Sequence, residues 1–149
     1  LPARNTAYTR AEISEAIEAV YPSLEIVGSR FDRGDKAPGP RIISDGGANV
    51  ATVMGPAINN WQELGLEDFA VTLTVNGENV CDGNTSILVW DHIVDALAWA
   101  LQQPILSERG LKANDIVMTG SCTGITPVSP GDEAMADFGV MGEVRAHFV

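Results

Sequence analysis

The side chains in this sequence best suited to chemistry are carboxylates set among apolar residues or beside glycines. Glu25 is the single charge in the run Leu24-Glu25-Ile26-Val27, and a carboxylate withdrawn from water has to be paired, hydrogen-bonded or bound to a cation. A solvent-facing edge-strand residue, an ion pair with Arg30 or Arg33, and a metal ligand all meet that requirement. Asp45 stands immediately before Gly46-Gly47. As a turn residue it would bond its own backbone, while paired glycines also permit angles that bring the chain close to a ligand. The run Thr119-Gly120-Ser121-Cys122-Thr123-Gly124 clusters hydroxyls between glycines. Exposed backbone N–H groups and hydroxyls of that kind can bind a carboxylate, and a polar hairpin tip would have the same composition.

Other chemistries are excluded by what the sequence lacks. It contains no GxSxG, GxxxxGK[ST], HExxH or GxGxxG pattern, which removes the usual nucleophile, phosphate and zinc-protease signatures. With His92 and His147 as the only histidines, a His-based triad or a multi-histidine zinc site lacks members. His92 reads as a capping or surface residue at a helix start and His147 as an ordinary strand residue. Cys81 and Cys122 stand apart, outside any CxxC pair, as free thiols of a reducing compartment. Nine Lys+Arg against twenty Asp+Glu give a formal net charge of −11, which repels nucleic-acid phosphates and anionic lipid headgroups. No apolar run approaches the roughly twenty residues of a spanning helix. The expectation is a soluble, cytoplasmic protein with neither nucleic acid nor membrane as partner. The start Leu1-Pro2-Ala3-Arg4 has no initiator Met and no signal-peptide pattern, and it reads as the beginning of a fragment.

The elements that must position these groups follow from periodicity and turn chemistry. With 149 residues, 45% of them hydrophobic, the chain has material for one domain with a core of its own. Thr9-Arg10-Ala11-Glu12 has the capping-box form, and Ile13, Ala16, Ile17 and Val20 follow at helical spacing, which predicts a helix over 10–20. A short strand over 24–27 comes after Pro22-Ser23. The stretch 29–41, rich in Arg, Asp, Lys, Gly and Pro, predicts a mobile surface loop or lid. Phe69, Val71, Leu73 and Val75 alternate ahead of Asn76-Gly77, a hairpin signal with a return strand to about residue 82. A second helix is predicted over 91–102, with Val94, Leu97, Ala98 and Leu101 on one face and Pro104 ending it. Short strands over 116–119, 125–128, 134–138 and 144–148, separated by glycines and by Pro130-Gly131-Asp132, complete a β-rich α+β domain with two helices.

The order of these motifs carries more information than any one of them. Leu24-Glu25-Ile26-Val27-Gly28-Ser29-Arg30, then Ser44-Asp45-Gly46-Gly47-Ala48-Asn49 through Met54-Gly55, then Ile116-Val117-Met118-Thr119-Gly120-Ser121, then Val128-Ser129-Pro130-Gly131-Asp132, then Ala136-Asp137-Phe138-Gly139 and Gly142, closely resemble the fumarylacetoacetate hydrolase superfamily. Within it the succession is most similar to the 2-keto-4-pentenoate hydratases and the 4-oxalocrotonate decarboxylases, nearly end to end. The resemblance implies a mixed-sheet roll of the superfamily's C-terminal type with two outer helices. It implies Mg²⁺ or Mn²⁺ held by three carboxylates, of which Glu25 matches one. The other two, an E-x-E pair, would fall before residue 1, with a catalytic lysine further upstream, so the chain corresponds to the C-terminal part of such an enzyme. Asp45 takes a catalytic place, positioning water or shuttling protons, and Ser121 and Thr123 take substrate-binding places.

Relatives read Asp-Asn-Ala-Ser where this chain has Asp45-Gly46-Gly47-Ala48. The hydroxyl of that serine is therefore missing unless Asn49 or Ser121 supplies a substitute. The implied chemistry is chelation of a 2-oxo acid by a hard cation that stabilises a dienolate. Water addition from there gives a hydratase of 2-hydroxydienoates in aromatic catabolism, and loss of a carboxylate gives a decarboxylase. A non-catalytic partner of an active homologue is the third expectation, and a homo-oligomer the expected assembly. With one of three carboxylates present, weak metal binding and little activity are expected of these 149 residues alone.

Overall fold

The computed structural model describes residues 1–31, 39–90 and 92–149. Most of the predicted lid, together with Arg33, lies outside the described residues, as does Asp91 at the start of the second predicted helix. In chain order the elements are α1 (Arg10–Ala16), β1 (Ser23–Val27), α2 (Gly39–Ser44), β2 (Asn49–Met54), β3 (Ala70–Val75), β4 (Glu78–Asn84), α3 (Ile93–Ala100), α4 (Pro104–Arg109), β5 (Glu133–Asp137) and β6 (Glu143–His147). They fall into two compact units. One comprises Leu1–Val20, Ala57–Ala70 and Asn84–Cys122, the other Tyr21–Pro56, Val71–Gly83 and Thr123–Val149.

The first unit is helical. The capping box of α1 forms as its residues require: Glu12 N–H donates to Thr9 Oγ1 at 3.3 Å and Thr9 N–H donates to Glu12 Oε2 at 2.7 Å. Arg4 clamps the same carboxylate with two donors at 2.7 and 2.8 Å. That clamp, then the Thr9 bonds, pulls the Glu12 pKa from 4.5 to about 2. α1 ends at Ala16 and not at residue 20 as predicted. The reason is a reciprocal pair of backbone bonds, Val20 N to Ile58 O at 3.1 Å and Ile58 N to Val20 O at 2.9 Å, which holds Val20 in an extended bridge that a helix cannot supply. α1 packs on α3, and Ile13, Val94, Leu97 and Leu101 are buried there with Trp61 and Leu66. Pro104, expected only to end a helix, also starts α4, since a proline in the first turn forfeits no hydrogen bond the helix needs.

The second unit holds both sheets. β1 and β2 pair antiparallel with Glu25 opposite Thr52, and the other sheet has the order β4-β3-β5-β6, with β5 antiparallel to both β3 and β6. Leu73, Ala136 and Val144 stand in register across three strands and are all buried, with Val71, Ala134 and Met141 beside them. The opposite face is charged, and Arg145 bridges Glu143 at 2.7 Å and Glu133 at 3.3 Å. Asn76 and Gly77 both adopt positive φ, 53° and 81°, the geometry a two-residue hairpin turn demands.

The α+β class is therefore as expected, with two further helices among the described residues. α2 begins inside the expected loop, at Gly39, and runs past its end to Ser44, and β2 was not anticipated. The strands predicted over 116–119 and 125–128 are not formed in the described chain. Gly120 and Gly124 turn the backbone at φ 131° and 69°, and Pro127 and Pro130 withhold N–H donors. β-propensity alone does not make a ladder; a partner strand must meet it.

Candidate functional site

Glu25 and Asp45 come together in the second unit through two intermediaries. Strand β1 alternates, so the apolar neighbours of Glu25 in sequence are not its neighbours in space: its side chain is exposed. Its Oε1 accepts from Asn49 Nδ2 at 2.8 Å, and the same amide lies 3.4 Å from Thr52 Oγ1, on the residue opposite Glu25 in the pair. The backbone oxygen of Asn49 accepts from Arg30 Nη2 at 3.3 Å. Arg30 Nη1 then donates to Asp45 Oδ1 at 2.9 Å and to Asp45 O at 3.1 Å, and Arg30 N–H to Asp45 Oδ2 at 3.0 Å. Four residues, Glu25, Asn49, Arg30 and Asp45, thus form one hydrogen-bonded chain.

Asp45 is the buried member, 6% exposed. The Arg30 guanidinium, then the Arg30 backbone N–H, hold its carboxyl below the ordinary aspartate range, with a smaller contribution from Ser29 and against the opposing effect of burial. A buried acid kept ionised in this way is a fixed negative charge that orients its partner, and a weak base near neutrality. The glycines after it are used conformationally. Gly46, Gly47 and Ala48 follow one another at φ 67°, 72° and 66°, reversing the chain so that Asn49 enters β2 facing β1.

Of the alternatives open for Glu25, the ion pair with Arg30 is not formed, because that cation is committed to Asp45. Ser121 is exposed and belongs to the first unit; Thr123 is half-buried and belongs to the second. His92 caps α3, its Nδ1 accepting from Val94 N–H at 3.1 Å, and exposed His147 lies in β6, so both histidines take the structural places expected of them. The roles of Asn49 and Arg30 in linking the two acids were not foreseen. Their one signal was spacing, since each follows an acid by four or five residues on a chain about to turn.

A divalent cation prefers several oxygen ligands. The donor type at Glu25 fits one, but the donor number does not: among the described residues no group of three or more His, Cys, Asp or Glu side chains could hold a metal ion, and Asp45 is spent on Arg30. No described helix is long and apolar enough to cross a membrane.

Residues 2–149 match the family model described as Fumarylacetoacetate (FAA) hydrolase C-terminal, and the chain belongs to that family. It is 28% identical over 153 residues to 2-oxo-hept-4-ene-1,7-dioate hydratase of Escherichia coli, covering 99% of this chain and 57% of that protein. To 4-oxalocrotonate decarboxylase of Pseudomonas putida it is 26% identical over 140 residues, covering 93% and 52%. The solved 4-oxalocrotonate decarboxylase from Pseudomonas putida G7 superposes with a TM-score of 0.82 at 26% identity, over 99% of this chain and 55% of that one, in a complex with calcium and acetate. A second complex of that protein holds magnesium and adipate, with the same TM-score of 0.82 at 25% identity, over 100% and 57%. The chain spans about half the length of the curated relatives it matches.

Proposed function

We propose that this chain is the C-terminal part of a metal-dependent hydratase acting on 2-hydroxydienoates of aromatic catabolism. What supports this is that relatives named as hydratases and decarboxylases of 2-oxo acids align along nearly all of it. In this reading Glu25 contributes one oxygen to a Mg²⁺ or Mn²⁺ site whose remaining donors lie outside the described residues, and Ser121 and Thr123 bind the carboxylate of the 2-oxo acid. Asp45, held ionised, orients Arg30 and through it the polar edge of the site, and in a catalytic place it would position water in preference to carrying a proton. A homo-oligomer in the cytoplasm belongs to the same proposal.

Decarboxylation of a 4-oxalocrotonate-like acid is the second reading, favoured by the superposition on the decarboxylase. Purified chain incubated with Mg²⁺ and each of the two substrates, with products separated by chromatography, distinguishes them. Hydrated product supports the first, and loss of CO₂ the second. Turnover seen only after mixing with an active homologue would make the chain a supporting partner, and none when the chain is joined to the N-terminal half of such a homologue, which would bring the remaining metal donors, would reject the lyase reading.

A further inference from the structure

We infer that Asn49 is the positioning residue of this site, and that the described residues hold Glu25 in place by hydrogen bonding with no cation required. The geometry leads there stepwise. An exposed glutamate on a strand samples several rotamers, and fixing it costs side-chain entropy. Here the Asn49 amide donates to Glu25 Oε1 at 2.8 Å. Asn49 is itself fixed, because its backbone oxygen takes Arg30 Nη2 at 3.3 Å, and Arg30 is fixed by buried Asp45 through both guanidinium and backbone. The cap of the preceding turn adds a bond from Asn49 N–H to Gly46 O.

The carboxylate that a cation would order is thus already ordered by a neutral amide donor on one of its two oxygens. The negative charge of Asp45 is balanced by Arg30 at 2.9 Å. Among the described residues no group of three or more His, Cys, Asp or Glu side chains could hold a metal ion. A hard cation that gives up its hydration shell reluctantly gains little from one carboxylate. The network stands whether or not the chain proves to be part of a lyase, because every link in it is a hydrogen bond within these residues.

The test follows the Asn49 side-chain amide by ¹H–¹⁵N NMR in the 149-residue chain, while Mg²⁺ and then Mn²⁺ are titrated. In the wild type the amide pair is expected at a shifted position that Mg²⁺ leaves in place, with Mn²⁺ broadening spread over the acidic surface. Glu25→Ala should return the pair to the position of a free carboxamide, whereas Glu25→Gln, which keeps an acceptor oxygen, should retain most of the shift. A folded backbone spectrum for each variant separates this local effect from loss of structure. Two results would overturn the inference: saturable Mg²⁺ binding that displaces the Asn49 signal and disappears in Glu25→Gln, or an Asn49 signal indifferent to Glu25→Ala. A lyase activity assay returning nothing would leave either NMR outcome standing.

Discussion

Asp45 and Glu25 are both acidic, lie twenty residues apart in sequence and end in opposite environments, and the difference is one of partners. Asp45 is buried and gathers an arginine; Glu25 is exposed and takes an amide. Because the folded-state pKa of Asp45 lies below the ordinary aspartate value of 3.8, its contribution to stability is complete above that value and is lost as the pH falls through the folded pKa. Asp45→Asn should therefore lower the urea midpoint at neutral pH, and the gap to wild type should close progressively below about pH 3.8. A gap that persisted unchanged in acid would mean that shape, not charge, is what Asp45 contributes. Glu12 obeys the same sign over a wider window, from 4.5 down to about 2. Residue types made Glu25 and Asp45 legible as candidates. Which of them Arg30 would choose was not legible, since it depends on the Gly46-Gly47-Ala48 reversal that sets Asp45 under the Arg30 backbone.

At the scale of elements, local signals were read well and partner-dependent ones poorly. The capping box of α1 and the Asn76-Gly77 turn are complete within four residues, so their geometry is already implied by composition. Thr9→Ala should cost about 1 kcal/mol by chemical denaturation, the usual worth of an N-cap. The end of α1 and the existence of β2 depend on residues far away, and no local pattern carries them, whereas Gly120, Gly124, Pro127 and Pro130 break the strands expected over 116–119 and 125–128 from within. The tight fit of β2 to its surroundings also has a measurable consequence. A Cβ added at Gly55 would lie 2.9 Å from both Pro22 Cγ and Val144 Cγ2, inside any normal contact. Gly55→Ala is expected to destabilise by about 1–3 kcal/mol, and a neutral result in thermal denaturation would show that the Pro22 ring or the Val144 side chain yields freely. The Pro130-Gly131-Asp132 turn, notable in the sequence only as a motif, has a plain structural duty. Asp132 takes Asn76 Nδ2 and Ser129 N–H, each at 2.7 Å, while Asn76 Oδ1 takes Glu133 N–H at 3.0 Å, clasping the β3–β4 hairpin tip to the start of β5.

For the whole molecule, Ile43, Val89, Ile105, Ile116, Ile125 and Val140 are each more than half exposed. If the proposed homo-oligomer covers part of that surface, light scattering at rising concentration should report a mass above that of one 15.8 kDa chain, and a constant single-chain mass would reject it. The two compact units are each assembled from three separated stretches, and this has a kinetic consequence. β3 meets β5 through residues as far as 65 positions apart, Thr72 and Asp137, so loop closure must be completed before that pairing is rewarded. A ribosome would release the whole first unit and most of the second before β5 and β6 emerge, leaving Val71 and Leu73 without their cover until those two strands are made. The vulnerable interval of this fold is therefore the one between the emergence of β3 and that of β5, when an unpaired strand edge is most open to capture by a neighbouring nascent chain.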